Sequence, residues 1–264
     1  DFGLTKVLDG RNWADADKFE FGLTSENNAP MPRSATAIAT KGHADISFGE
    51  IAYDKPGTYV YKVSEKHAGT TVDGIAYSKN VAEFTVTVKP NEKGELVASV
   101  KKTSGESEFK NTYTAEPTES SVTDQIEVTK VLTGRALKAG EFSFELLEGT
   151  GEDASVIETV KNDADGKVAF STIKYTEIGQ HTYTLREVNG GTTNNGIAYD
   201  GKTYTVVTTI ADNGKGQLVA THKLKGAEDV KKIEFKNSYT VTPKDFSVTD
   251  QVKATKSLTG RKLA

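Results

Sequence analysis

Apolar residues alternate with polar residues in short runs along the whole chain, and no helical periodicity persists for long. The runs are rich in Val, Thr, Tyr and Phe, which is typical of β-strands. They are separated by dipeptides that favour the positive backbone angles of tight hairpins, namely Asp9-Gly10, Asp73-Gly74, Asp165-Gly166, Asn189-Gly190, Asn195-Gly196, Asp200-Gly201 and Asn213-Gly214. The pattern predicts an all-β fold of the sandwich or barrel-like antiparallel type.

Three polar residues fall on the side of a strand that should face the core. Lys130 shares the side of its run with three aliphatic residues, because successive residues of a strand point to opposite faces. By the same parity, Glu187 and Asn237 lie in line with aromatic and aliphatic residues. An equivalent trio occurs about one domain earlier, at Lys6, Glu65 and Asn111. An amine, a carboxyl and a carboxamide that point into one core indicate a chemical function.

The chain contains an internal repeat with a period of 122 to 126 residues. The phrase Thr-Lys-x-Leu-x-Gly-Arg occurs three times, around Lys6, Lys130 and Lys256. Gly-Ile-Ala-Tyr and Phe-Lys-Asn-x-Tyr each occur twice. We therefore predict two complete β-sandwich repeats, residues 1–116 and 117–243, followed at 244–264 by a linker and the first strand of a truncated third repeat.

Pro-containing segments separate the repeats, and each is followed by the phrase Ser-Val-Thr-Asp-Gln, at Ser121–Gln125 and Ser247–Gln251. Short linkers that contain proline limit flexibility more than Gly/Ser linkers do. We expect the repeats to be arranged as beads on a semi-stiff string. Because the chain begins and ends in strand-like patterns, we also expect it to be a segment of a longer protein.

The trio has the groups that a covalent crosslink needs. Burial in an apolar core lowers the pKa of a lysine, and the neutral amine that results is a nucleophile. Burial raises the pKa of a carboxyl group, and a protonated acid can donate a hydrogen bond to a carbonyl oxygen. The amine would then attack the carboxamide carbon, ammonia would leave, and an isopeptide bond would remain. Folding supplies the proximity, which reaches effective molarities of about 10⁵–10⁸ M in well-oriented reactions.

The composition excludes several other functions. The chain has 264 residues, a formal net charge of −4 with both signs interspersed, and no cysteine. Disulfides, thiolate metal sites and cysteine catalysis are therefore impossible, and neither nucleic acid nor membrane insertion is expected. The four histidines show no ligand-like clustering, and phosphate loops and nucleophile elbows are absent. We expect no metal, no cofactor and no enzymatic turnover of an external substrate.

The recurring motifs resemble those of a known family. Thr-Lys-x-Leu-x-Gly-Arg at the start, Tyr-x-Val/Leu-x-Glu in the middle and Phe-Lys-Asn-x-Tyr at the end are similar to motifs of the isopeptide-forming, immunoglobulin-like (Cna B-type) repeats of Gram-positive pilins and surface adhesins. The resemblance implies tandem immunoglobulin-like β-sandwich domains. It also implies two crosslinks, each joining a lysine to an asparagine under catalysis by a glutamate: Lys6 to Asn111 under Glu65, and Lys130 to Asn237 under Glu187.

The sequence and the resemblance together predict a structural stalk of an extracellular, cell-wall-attached adhesin or pilus-like fibre, with autocatalytic crosslinks and with Lys256 as the nucleophile of the truncated repeat. Expected partners are the neighbouring repeats of the same polypeptide and, through the parent protein, a host surface ligand. One alternative is a ligand-binding adhesin module that recognises host glycan or matrix protein through the irregular region from Ser25 to Gly42. Another is an accessory domain of a secreted hydrolase.

Overall fold

The computed structural model describes residues 1–245, 255–257 and 259–260. In the first repeat the alternating runs form ten β-strands: β1 Leu4–Asp9, β2 Lys18–Ser25, β3 Thr36–Thr40, β4 Asp45–Ile46, β5 Gly57–Glu65, β6 Thr71–Val72, β7 Ile75–Ala76, β8 Val81–Pro90, β9 Leu96–Ser104 and β10 Glu108–Tyr113.

The second repeat and the segment before it contain twelve strands: β11 Thr118–Ser120, β12 Glu127–Thr133, β13 Ser143–Glu148, β14 Ser155–Lys161, β15 Lys167–Val168, β16 Ile173–Tyr175, β17 Gly179–Glu187, β18 Thr193–Asn194, β19 Ile197–Ala198, β20 Thr203–Asp212, β21 Leu218–Leu224 and β22 Lys232–Tyr239. Two short 3₁₀ turns, Val122–Asp124 and Gly151–Asp153, are the helical elements of the described residues.

The strands of each repeat form two five-stranded sheets, which confirms the predicted all-β, sandwich-like fold. In the first repeat, the lysine sheet has the order β4-β1-β10-β7-β6 and the glutamate sheet has the order β3-β2-β5-β8-β9. In the second repeat, the lysine sheet is β15-β12-β22-β19-β18 and the glutamate sheet is β14-β13-β17-β20-β21. Strands β11 and β16 form a separate antiparallel pair.

The first and last strands of each repeat lie side by side and run parallel. In the pair β1–β10, Lys6 is opposite Phe109 and Leu8 is opposite Asn111. Strands β12 and β22 have the same register at the equivalent positions. On their other edges, β1 and β10 pair antiparallel with β4 and β7. Because side chains alternate between faces, this register places the lysine and the asparagine on the same face of the sheet.

The core of the first repeat lies between its two sheets and is filled from alternate strand positions. Strand β1, for example, buries Leu4, Lys6 and Leu8, while the intervening residues are exposed or partly so. Aromatic rings connect the sheets: the ring centroids of Phe21 on β2 and Phe109 on β10 lie 5.1 Å apart, edge to face. Full burial of one such side chain contributes about 1.5–3 kcal/mol.

The chain divides into two compact units. The first comprises Asp1–Ser120, Ile173–Gly179 and Thr209–Thr221, and the second comprises Ser121–Thr172, Gln180–Thr208 and the residues from His222 on. The predicted boundaries at positions 116 and 243 remain predictions.

Regular structure occurs in two segments that the sequence analysis treated as irregular. The region from Ser25 to Gly42 contains β3, which pairs antiparallel with β2. Its inward-facing positions are Ala37 and Ala39, whose small side chains give a weak alternation signal. The predicted linker, residues 116–121, contains β11, and the phrase that follows it contains a 3₁₀ turn in which Val122 is 1% exposed. The linker is thus partly folded.

Most of the predicted third-repeat strand, at positions 246–254, 258 and 261–264, lies outside the described residues. Lys256 is described; it is exposed and lies outside any strand. Its role as a nucleophile therefore stays a prediction.

Candidate crosslinking sites

The structure brings the two predicted trios together as two buried clusters. In each cluster the lysine and the asparagine come from the parallel strands of the lysine sheet, and the glutamate comes from β5 or β17 of the opposite sheet. All six residues are no more than 3% exposed: Lys6, Glu65, Asn111, Lys130, Glu187 and Asn237. The strand parity read from the sequence is correct at each of them.

In the first cluster, the carboxylate of Glu65 lies between the amine and the carboxamide. Nζ of Lys6 lies 3.3 Å from both oxygens of Glu65 and also donates to the carbonyl oxygen of Phe109 at 2.9 Å. Nδ2 of Asn111 donates to Oε1 of Glu65 at 2.8 Å. One carboxylate thus contacts both the nitrogen that would attack and the nitrogen that would leave.

The second cluster repeats this arrangement with shorter distances. Nζ of Lys130 lies 2.9 Å from both carboxylate oxygens of Glu187. Nδ2 of Asn237 donates to Oε1 of Glu187 at 2.7 Å. Two independent clusters with the same atoms in the same relation are not explained by chance burial of polar residues.

Burial shifts the pKa values of both partners toward their neutral forms. It lowers the pKa of Lys6 to about 8 from an ordinary value of 10.5, although the nearby carboxylate of Glu65 opposes the shift. Burial raises the pKa of Glu65 above its ordinary value. The pKa of Lys130 is lowered and that of Glu187 is raised for the same reason. A neutral amine and a protonated acid are the forms that the predicted reaction needs.

Aromatic rings provide the apolar surroundings of each amine. The ring of Phe19 lies 4.8 Å from Nζ of Lys6, and the ring of Phe142 lies 4.6 Å from Nζ of Lys130. A second ring, that of Phe144, lies 6.0 Å from the Lys130 amine. The face of an aromatic ring stabilises a cation less than water does. The rings therefore exclude water from the ammonium group and replace only part of the stabilisation that hydration would provide.

The carboxamide oxygen is held by a backbone amide, which the sequence analysis did not foresee. Oδ1 of Asn111 accepts a hydrogen bond from the N–H of Ser78 at 2.8 Å. Oδ1 of Asn237 accepts one from the N–H of Asp200 at 2.7 Å. The sequence predicts that the glutamate makes this contact, whereas in the structure the glutamate contacts the carboxamide nitrogen. Both donors directly follow the repeated Gly-Ile-Ala-Tyr phrase, which was the available signal.

The Gly-Arg pair of the opening motif also has a structural reason. Gly10 has φ +85°, and a Cβ there would overlap the carbonyl oxygen of Tyr113. The guanidinium of Arg11 lies 4.8 Å from the Tyr113 ring and donates two hydrogen bonds to Asp17, at 2.7 and 2.8 Å. These contacts fix the end of β1 beside the end of β10, two residues beyond Asn111.

The second repeat has the equivalent contacts. Gly134 has φ +90°, and a Cβ there would overlap the carbonyl oxygen of Tyr239. Arg135 lies 4.9 Å from the Tyr239 ring and forms an ion pair with Glu141. The recurrence of the motif alone does not indicate these roles for its glycine and arginine.

Within the described ranges, no three or more His, Asp and Glu side chains are grouped so as to hold a metal ion. No helix in the same part of the chain is long and apolar enough to cross a membrane.

The chain matches the model of one protein family twice, over residues 2–114 and 126–240. That family is described as FctA, Spy0128-like isopeptide containing domain. No curated protein matches the chain.

Several solved structures are similar to the chain at low identity. A mutant of the major pilin from Streptococcus pyogenes is 18% identical over 89% of this chain and 97% of that chain, with a TM-score of 0.38. The T3.2 major pilin of the same species is 16% identical over 90% and 96%, with a TM-score of 0.32. The TIE protein of Bacillus anthracis is 12% identical over 89% and 39%, with a TM-score of 0.26.

Proposed function

Because this chain belongs to the family of Spy0128-like isopeptide-containing domains, we propose that each repeat crosslinks itself once, through Lys6 and Asn111 in the first and Lys130 and Asn237 in the second. Glu65 and Glu187 are the catalytic residues of this proposal. The observation that carries it is the position of each glutamate, in hydrogen-bond contact with both reacting nitrogens inside a buried core.

Membership of the family confirms the sequence prediction of isopeptide domains of the Gram-positive pilin type, with a structural role in a pilus-like fibre. Such surface proteins are extracellular and assemble with further subunits. We propose in addition that the parent protein is attached to the cell wall and that the tandem repeats, bounded near residues 116 and 243, serve as a stalk. The autocatalytic step occurs once per repeat, so the chain does not act as an enzyme on an external substrate.

The reaction begins with proton transfer within the buried pair. A proton moves from Nζ of Lys6 to Glu65, which leaves a neutral amine beside a protonated acid. The amine attacks Cγ of Asn111, and the negative charge that develops on Oδ1 is stabilised by the N–H of Ser78.

The tetrahedral intermediate then loses ammonia. Glu65 donates its proton to Nδ2, the bond between Cγ and Nδ2 breaks, and Nζ of the lysine gives a proton back to the glutamate. The products are one amide bond and one ammonia molecule, and the glutamate is left as the neutral, protonated acid. Lys130, Glu187 and Asn237 react in the same way, with the N–H of Asp200 as the donor to the carboxamide oxygen.

Condensation also removes an unfavourable charge from the core. A buried ion pair loses the solvation of both partners, which costs several kcal/mol per ion and is only partly offset by their attraction. After the reaction the lysine nitrogen is an uncharged amide that can donate one hydrogen bond to the glutamate. The folded state therefore favours the crosslinked product over the buried ions.

The intact mass of the denatured chain tests the proposal. We expect the mass to be lower than the formula mass by two ammonia molecules, and proteolytic digestion should yield branched peptides that join Lys6 to Asn111 and Lys130 to Asn237. The double variant Asn111→Ala, Asn237→Ala should have its full formula mass. A wild-type chain at its full formula mass would contradict the proposal.

A further inference from the structure

The two repeats differ most clearly in the last strand of the glutamate sheet. Strands β9 and β21 both contain the sequence Leu-Val-Ala, at Leu96–Ala98 and Leu218–Ala220. Val100 of β9 is 44% exposed, whereas His222, the equivalent residue of β21, is 0% exposed. Every residue of β9 is exposed, whereas alternate residues of β21 are buried. The different burial of equivalent positions indicates that a neighbouring segment covers the His222 end of β21 and leaves the corresponding end of β9 open.

In the second repeat, the residues from Ser121 to Ile126 occupy the corresponding face. Ser121 and Ile126 are 3% and 0% exposed, and Val122 between them is buried as well. The side-chain oxygen of Gln125 accepts a hydrogen bond from the N–H of His222 on β21 at 2.9 Å. This segment therefore lies directly beside the strand that is buried.

The same segment is anchored to the backbone of Phe170. The hydroxyl of Ser121 donates to the carbonyl oxygen of Phe170 at 2.8 Å, and the hydroxyl oxygen of Thr123 accepts from its N–H at 3.3 Å. A capping box between Ser121 and Asp124 holds the segment in its turn conformation. The phrase Ser-Val-Thr-Asp-Gln is thus bound to its own repeat in a defined turn conformation.

The first repeat has a groove at the position where the second repeat binds this segment. A groove of about 410 Å³ is lined by Phe2, Phe48, Val86, Ala98 and Val100, among others. When the two repeats are aligned, Phe48 corresponds to Phe170. Val86 and Val100 are opposite each other in β8 and β9, and they correspond to Thr208 and His222. Among the described residues, the backbone N–H and C=O of Phe48 have no hydrogen-bond partner.

We propose that this groove is the docking site for a chain segment of the Ser-Val-Thr-Asp type attached on the N-terminal side of Asp1. In the same alignment Asp1 corresponds to Gln125. The valine of the segment, which corresponds to Val122, therefore lies three residues before Asp1 and enters the groove beside Val100. The serine and threonine hydroxyls bind the backbone of Phe48. Docking closes the open face of an edge strand, which otherwise exposes apolar residues and unpaired backbone groups.

A labelled peptide tests the proposal with the chain as it exists. The probe is a fluorescein-labelled peptide with the sequence of residues 117–125, titrated with the full chain and followed by fluorescence anisotropy. We expect saturable binding that is lost when the valine of the peptide is replaced by aspartate. The chain variant Val100→Asp should also lose binding, whereas Val97→Asp, on the opposite face of β9, should retain it. Both valines are exposed in the free chain, so neither change should unfold it.

A chain extended by the sequence of residues 117–124 ahead of Asp1 provides the intramolecular version, in which the effective concentration of the segment is high. We expect amide hydrogen exchange in β9 to slow at least about tenfold relative to the same extension with aspartate in place of its valine.

Two results would overturn the proposal. One is the absence of saturable peptide binding together with unchanged exchange in β9. The other is a concentration-dependent dimer of the unextended chain that Val100→Asp abolishes, which would assign this face to a second copy of the chain.

Discussion

Lys6 and Asn111 lie on adjacent parallel strands with an offset of two register positions, so that their side chains share one face of the lysine sheet. They are 105 residues apart in the sequence. Their proximity depends entirely on the direct pairing of the first and last strands. The proposed reaction therefore requires a nearly complete domain, so the crosslink would form only after correct folding.

We expect the glutamates to act independently. Glu65→Ala should restore the mass of one ammonia molecule and abolish the branched peptide of the first repeat alone, because the carboxylate that exchanges protons with both nitrogens is missing. Glu187→Ala should do the same for the second repeat. The partly exposed Glu20, on β2, is a matched control, and Glu20→Ala should keep both crosslinks. If Glu65→Ala still has a mass two ammonia molecules below its formula mass, this residue is not the catalyst.

We expect each crosslink to raise the stability of its repeat substantially. Closing a loop of about 100 residues is worth roughly 4.7 kcal/mol by analogy with disulfides. For a domain of this size, that corresponds to roughly 20 °C or more in the thermal midpoint. Asn111→Ala should lower the midpoint of the first repeat by this order, as measured by scanning calorimetry.

A double-mutant cycle separates the crosslink from the lost hydrogen bonds of Asn111. In a Glu65→Ala background, where the crosslink is already absent, Asn111→Ala should have a much smaller effect than in the wild-type chain. Equal effects in both backgrounds would mean that the crosslink contributes little to stability.

The uncrosslinked variant Asn111→Ala, Asn237→Ala should become more stable as the pH rises from about 8 to about 10. The folded-state pKa of Lys6 is about 8 and its ordinary value is 10.5. Between these values the unfolded chain binds more protons than the folded chain, so the free energy of unfolding rises with pH. Thermal midpoints at several pH values measure the slope, and adding Lys6→Met should reduce it.

The raised pKa of Glu65 has the opposite effect on the free energy of unfolding, and it acts in the acidic pH range. There the folded chain binds more protons than the unfolded chain, so this group contributes stability that is lost as the pH rises through its folded-state pKa. A pH-independent midpoint for the uncrosslinked variant would contradict the assignment of both shifts.

The backbone N–H of Ser78 should accelerate the reaction. A semisynthetic chain with an ester in place of the Tyr77–Ser78 amide lacks this donor to Oδ1 of Asn111. Such a chain is uncrosslinked in denaturant, and refolding starts the reaction. We expect the first repeat to lose ammonia about 10²–10³ times more slowly, the effect of removing one oxyanion donor, while the second repeat serves as the internal control. Equal rates in both repeats would exclude this role.

Gly10→Ala should destabilise the first repeat and slow its crosslinking. The new Cβ would overlap the carbonyl oxygen of Tyr113 at a positive φ, so the end of β1 must move away from β10. Gly42→Ala is the matched control, since Gly42 has φ +81° but open space around its Cβ position. Both variants are assembled by chemical ligation in denaturant, so that they are uncrosslinked before their first folding. Mass spectrometry during that folding compares their rates of ammonia loss, and similar rates would mean that the close approach is unimportant.

The burial of the lysine, glutamate and asparagine side chains could be predicted from the sequence because strand parity is a rigid rule. A residue such as Lys130, in a strand that alternates strictly, can face only one way, and the second copy of the pattern argued against a local irregularity. The donors at Ser78 and Asp200 were missed because a backbone N–H leaves no trace in residue type. Only the recurrence of Gly-Ile-Ala-Tyr marked their position.

The burial of β9 and β21 could not be read from the strands themselves. Leu96 and Leu218 are each followed by Val and Ala, and their different exposure depends on what lies over each strand. Similarly, Ala37 and Ala39 are too small to give β3 a clear apolar alternation, although they are buried against the core. Tertiary context, which local patterns do not carry, decides both cases.

The parallel alignment of β1 with β10 also sets how far a fibre built from such repeats can lengthen. With Lys6 joined to Asn111, a pull on the two chain ends passes across the new amide and bypasses the residues between them. Those residues represent about 350 Å of extended chain that never becomes available, at roughly 3.3–3.6 Å each. The repeat would then be an almost inextensible link, whose contour length is fixed by a single covalent bond.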